Sequence, residues 1–187
     1  MGFEELMPLV LAIPTTIAGA DSAAEAWTVL QSQADPYGVI DPEILAVNID
    51  AEVDLVARQL QAIFDRTPAP EGLRLLYFGL FAAADGKTGA EQAGYHVSGS
   101  TRDMPPIETA ADLAGPVLDY RPALPYIFSE LLQRIKAAAL SSHDMYDFYD
   151  YAMMLGAAAL LSRFALRRLG VVNRLVVGFD SGDVFEI

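Results

Sequence analysis

Residues 73–83, LRLLYFGLFAA, break the rhythm of the chain. Before Gly72 apolar residues recur at helical spacing. Here aromatic and aliphatic side chains run on almost without interruption to Asp85-Gly86 and resume at AGYHVSGS, residues 93–100. Apolar runs bounded by a glycine-containing turn predict a pair of antiparallel strands. The C-terminus repeats the pattern, with RLVVGFD (174–180), a turn at Ser181-Gly182 and DVFEI (183–187). Two β-hairpins, about 73–98 and 174–187, are therefore expected to build one antiparallel sheet.

Upstream the signals are helical. Ser22 followed by Glu25 forms a capping box opening AAEAWTVLQSQA, and Asp35-Pro36 closes that run. Asp41-Pro42-Glu43 offers a cap with proline at the first helical position. Asp50 is expected to cap an amphipathic helix carrying Val53, Val56, Ala57, Leu60, Ile63 and Phe64, with Asp54 placed to pair with Arg58. The breaker TPAPEG, residues 67–72, ends it.

Between the two hairpins lie a stretch holding five of the eleven prolines (105, 106, 116, 122 and 125) and two helical segments, near 124–140 and 143–169. The first repeats Leu124, Ile127, Phe128, Leu131, Ile135 and Ala138 on one face, with Glu130 four residues before Arg134. The second is apolar almost all round beyond Asp150, the mark of a central, buried helix, and Gly156 leaves room for close approach. The order predicts an α+β fold, one domain over residues 1–187, with an acidic, mainly helical N-terminal third (1–66).

Composition bounds the function. A chain of 187 residues, 53% hydrophobic, should bury roughly 70% of its unfolded surface and needs no covalent staple. There is no cysteine, which removes disulfides, thiolate metal sites and cysteine nucleophiles, and favours a cytoplasmic location. Two apolar tracts, LMPLVLAIPTTIAGA (6–20) and the twelve uncharged residues Tyr151 to Ser162, fall short of the roughly 20 residues a bilayer span needs. The first follows MGFEE, which has two acids and no base where a secretory signal requires positive charge. Both are expected to be core.

Charge is segregated. Residues 1–57 hold ten acids and no lysine or arginine, and all twelve basic residues lie from Arg58 onward, so the N-terminal third carries most of the net −13. Such a field repels nucleic acid and anionic membrane and steers a basic protein towards it; it also keeps an apolar-rich chain dispersed.

The segment SSHDMYDFYDYAMMLG (141–156) concentrates polar chemistry. At helical spacing Asp144, Asp147 and Asp150 form a stripe opposite an arc of Met145, Phe148, Tyr149, Ala152, Leu155 and Ala159. A stripe of carboxylates is the donor set of a hard cation. Here it is accounted for more fully by a helix capped at Ser141 or Ser142, acidic in its first turns and closed by Arg163, Arg167 and Arg168. No metal and no cofactor is therefore expected. With Tyr146 the aspartates make a candidate partner-binding surface, and Arg102 and Arg121, flanking the irregular STRDMPP and LDYRPALP, are candidate anchors or pair with Asp103 and Asp119. His96 shares a strand face with Ser98, but the chain has no G-x-S-x-G elbow, Walker loop, H-E-x-x-H or G-x-G-x-x-G. A solvent-facing polar pair is expected there, and DSGD (180–183) is a turn, not a calcium loop.

The stretches LLYFGLFAAADGKTGAEQAGYHVSGS, YRPALPYIFSELLQRI and VVGFDSGDVFEI together resemble, in layout across residues 73–187, small bacterial proteins grouped with the immunity proteins of polymorphic toxin systems. The resemblance implies a cytoplasmic non-enzyme that binds and blocks a toxin. It transfers no residue role, because it rests on the order of elements and on no fixed motif.

Two readings follow. In the first the chain is a non-enzymatic interaction module that meets a basic protein through its acidic surface. In the second it is a small-molecule binder or enzyme with a pocket between the sheet and the loop 101–125, using His96, His143 and nearby acids. A homodimer is compatible with either.

Overall fold

Helix caps and prolines partition the N-terminal third. The computed structural model describes residues 2–84, 91–107, 109–113, 117–171, 173–179 and 183–187. Helix α1 spans Phe3–Gly19 and buries Leu6, Leu9, Val10, Ile13 and Ile17. Helix α2 is Ala23–Ala34, where the Ser22 hydroxyl accepts from the Glu25 amide at 3.2 Å. The single turn α3, Pro42–Leu45, is capped by Asp41 as expected. Helix α4, Ile49–Arg66, starts two residues earlier than an Asp50 cap implies, because the Asn48 side chain accepts from the Ala51 amide at 3.1 Å. No helix among the described residues is long and apolar enough to cross a membrane.

The sheet contains β1 (Leu75–Ala84), β2 (Glu91–Ser100), β3 (Tyr126–Ile127), β4 (Arg174–Phe179) and β5 (Val184–Glu186), in the order β3-β2-β1-β4-β5. β1 with β2, β2 with β3 and β4 with β5 are antiparallel. The expected turns at Asp85-Gly86 and Ser181-Gly182 lie outside the described residues. One expectation fails: the two ladders meet in a parallel pair, with Leu76 opposite Leu175 and Phe78 opposite Val177. The chain reaches β4 only after crossing the sheet through two helices, which returns it beside β1 in the same direction, the connection a parallel pair requires.

Those helices are α5, Glu130–Ser141, and α6, Met154–Arg168. The helix expected from 124 starts later. Leu124 takes a positive φ of 50° after Pro122, Ile127 joins the sheet, and the Ser129 hydroxyl caps α5 by accepting from the Leu132 amide at 3.3 Å. The segment expected as one helix from 143 to 169 is three kinds of winding in succession: a 3-10 turn at His143–Met145, a π turn at Phe148–Met153, then α6. Ser142 makes no side-chain cap, and Ser141 instead ends α5, donating to the Ala138 carbonyl.

Helix α6 is central. It packs against α1, α2, α4, α5, β1 and β4, and twelve of its residues from Met154 to Leu166 are buried. Arg168 at its end pairs with Asp54 at 2.6 Å and Asp50 at 3.3 Å, so Asp54 bridges to another helix and not along its own to Arg58. Leu76, Phe78, Tyr95, Val97, Ile127, Leu175 and Val177 project from the sheet into this helical layer. The opposite face carries Leu75, Tyr77, Val176 and Val184, covered by Ile107 and Leu113 of the proline-rich loop.

Candidate functional site

The proline-rich loop covers only part of the outer sheet face, because Arg174 fixes where it lies. Its guanidinium holds Glu186 with bonds of 2.6 and 2.7 Å and donates to the carbonyls of Met104 (2.6 Å) and Pro105 (3.0 Å). Arg102 folds back to within 4.0 Å of Asp119, and Arg121 donates to the Leu118 carbonyl at 3.0 Å. Asp119 accepts from the Thr101 hydroxyl and amide, which holds its carboxyl below the usual aspartate range. Both candidate anchor arginines thus bind within their own loop.

Beyond the loop the sheet is open. Phe81, Ala83, His96, Pro125, Tyr126 and Phe128 surround a groove of about 630 Å³. Alternation along the strands puts them together: Gly79 lies opposite His96, His96 opposite Tyr126, and Phe81 opposite Gly94. Gly94 is needed here, since a Cβ would sit 2.8 Å from the Ile127 carbonyl and 3.1 Å from the Phe128 ring. The Phe81 ring meets Tyr126 and Phe128 edge-on at 5.5 and 6.1 Å, and Tyr77 meets His96 at 5.7 Å. Even so Tyr126 is 54% and Phe128 40% exposed. Gln59 of α4 pins this rim by donating to the Phe128 carbonyl (2.7 Å) and accepting from its amide (3.1 Å). Ser98 shares His96's face as expected but is buried, not solvent-facing, and Ser100 is wholly buried.

The aspartate stripe divides. Asp144 and Asp147 are exposed, while the wider π turn carries Asp150 inward, half-buried, towards Lys136 of α5. The ammonium of Lys136, its side chain only 4% exposed, donates to Asp150 Oδ1 at 2.7 Å, Glu91 Oε1 at 3.0 Å and the Tyr146 hydroxyl at 3.5 Å. Burial alone would lower the lysine pKa; the bonds to Asp150 and Glu91 overcome this and hold it above the ordinary value. Hydrogen bonding to Asp150, then burial, raises that of Tyr146. Lys136 and Asp150 form the floor of a cleft of about 270 Å³ walled by Leu80, Phe81, Ala82, Ala93, Met154 and Phe179.

The sequence-derived candidates therefore do not make one surface. Asp144, Tyr146, Asp147 and Asp150 lie on the turns that precede α6, and Arg102 and Arg121 in the proline-rich loop. His96 faces the open groove, whereas His143 is exposed on the 3-10 turn that packs with α5. The pivotal residue that sequence reasoning missed is Lys136, and its signal was present: it stands between Leu132 and Ala139, at four and three residues' spacing on the buried face of α5. Tyr126 and Phe128 were hidden by the helical pattern of 124–138. Comparison of the chain with protein-family models, with curated proteins and with solved structures gives no match, so the reading of these sites rests on this chain alone.

Proposed function

We propose that this protein is a non-enzymatic interaction module that docks a basic protein partner, with the aromatic groove as the contact and the acidic N-terminal third as the steering field. The observation that carries the proposal is the exposure of Tyr126 and Phe128 in a groove held open by Gly94 and pinned by Gln59. Exposed aromatics on a rigid backbone are the residues from which interface hot spots are built, because they offer large apolar area at little entropic cost. Charge complements this: Glu4, Glu5, Asp21, Glu25, Asp35 and Glu43 are all exposed, and the chain carries a net −13. A field of that sign accelerates encounter with a basic protein. Exposed Asp144 and Asp147 extend it.

A narrower form, an immunity-like role in which the partner is a toxin, rests on the layout of residues 73–187 alone. The test is paired capture from lysate, at low and high salt, with the groove intact and with Tyr126→Ser plus Phe128→Ser.

A further inference from the structure

We infer that the cleft over Lys136 is a binding site for a small monovalent organic cation, a primary amine with a compact apolar body. It opens on the helical side of the sheet and the docking groove on the other, with Phe81 lining both.

An ammonium has three N–H groups, and those of Lys136 meet three acceptors, Asp150, Glu91 and the Tyr146 hydroxyl. The lysine has no donor left for a ligand, which disfavours an anion. A carboxylate offers about four lone-pair positions, so Asp150 and Glu91 retain acceptor capacity after serving one ammonium. Among the described residues two carboxylates meet this one lysine, which leaves the ion cluster at the cleft floor one positive charge short of neutrality. In a partly desolvated site that shortfall favours a monocation.

The walls specify the rest of the ligand. Leu80, Ala93, Met154 and Phe179 are apolar, and Phe179 stacks on Tyr151 at 5.5 Å, whose hydroxyl binds Asp183. An apolar body buries against them, and an aromatic face attracts a cation. A bare metal ion would leave those walls unused, and no group of three His, Asp or Glu suited to a metal occurs among the described residues. A volume of about 270 Å³ limits the ligand to roughly the size of a substituted benzene.

The experiment is titration calorimetry of the full chain with benzylamine, benzyl alcohol and benzoate. Benzylamine should bind one per chain, about tenfold or more tighter than benzyl alcohol, and benzoate should not bind. Exposed Ala82 lines the cleft, so Ala82→Trp should fill it and abolish benzylamine binding without lowering Tm. Glu91→Gln, which removes one of the two charges bound to Lys136, should weaken it about fivefold or more, while Asp144→Asn, exposed on the 3-10 turn, should leave it unchanged. Asp150→Asn should also abolish binding, and Ala82→Trp and Glu91→Gln decide the matter if that variant fails to fold. Equal affinity for benzyl alcohol and benzylamine, indifference to both variants, or no saturable heat up to about 10 mM would overturn the inference.

Discussion

The Lys136 ammonium lies 2.7 Å from the Asp150 carboxylate, a bond that joins the buried face of α5 to the π turn ahead of α6. Two elements that could slide past each other in an all-apolar contact are thereby held in one register.

Removing the cation should be costly. Lys136→Met leaves the Asp150 and Glu91 carboxylates without the cation they share. Loss of one partner of a fully buried pair costs about 3–5 kcal/mol; both acids keep some exposure here, so we expect about 2 kcal/mol, read from the urea midpoint. The pH dependence has a definite sign. The folded lysine pKa lies above the unfolded value of about 10.4, so its contribution is complete below that pH and is lost as pH rises through the folded value. Stability of the Lys136→Met variant should therefore fall less than that of the parent above about pH 10.

Acid should act at the opposite edge of the sheet. The Arg174 guanidinium holds the Glu186 carboxyl below the usual glutamate range, against the opposing effect of burial. That contribution is present above the unfolded value of about 4.3 and is lost as pH falls through the lower folded value. Glu186→Gln should cost about 1 kcal/mol near neutrality and flatten this part of the acid limb. Because Arg174 also grips Met104 and Pro105, amide exchange at Met104 and Ile107 should quicken in Arg174→Ala while that of α6 is less affected.

Two glycines should respond in opposite ways. At Gly156 a new Cβ would meet Leu30 and Ile13 side chains at 3.5 and 3.7 Å, ordinary contact, so the space is not required for close packing. Gly156→Ala should stabilise by up to about 1 kcal/mol through helix propensity. At Gly178 a Cβ would lie 2.6 Å from the Val184 backbone and closer still to the Asp183 carbonyl. Gly178→Ala should cost about 2 kcal/mol or more by forcing β5 away. Thermal melts of the two variants check both signs.

Sequence reasoning reached the α+β class, the capped helices α2 and α3, the position of α4 and the burial of residues 152–162, though not of Tyr151, because local capping and periodicity report those features directly. It missed what depends on partners remote in sequence. RLVVGF reads as a strand, but whether it runs with or against β1 is decided by the crossover through α5 and α6, which no local pattern encodes. Ile127 and Phe128 satisfy a helical period equally well as strand residues, and only the Ser129 cap decides between them. Asp150 belonged to a regular stripe on paper; the π turn removed it from register and delivered it to Lys136, whose place on an apolar face was the one legible hint of that site.

Paired capture tests the docking surface most directly. Tyr126→Ser with Phe128→Ser removes two exposed rings at modest cost in stability, and Leu11→Ser, 63% exposed on α1, serves as a remote control. We expect a basic protein retained at low salt by the parent and the Leu11→Ser variant, released at high salt, and absent from the groove variant. The same bound proteins on parent and groove variant, or retention indifferent to salt, would contradict it.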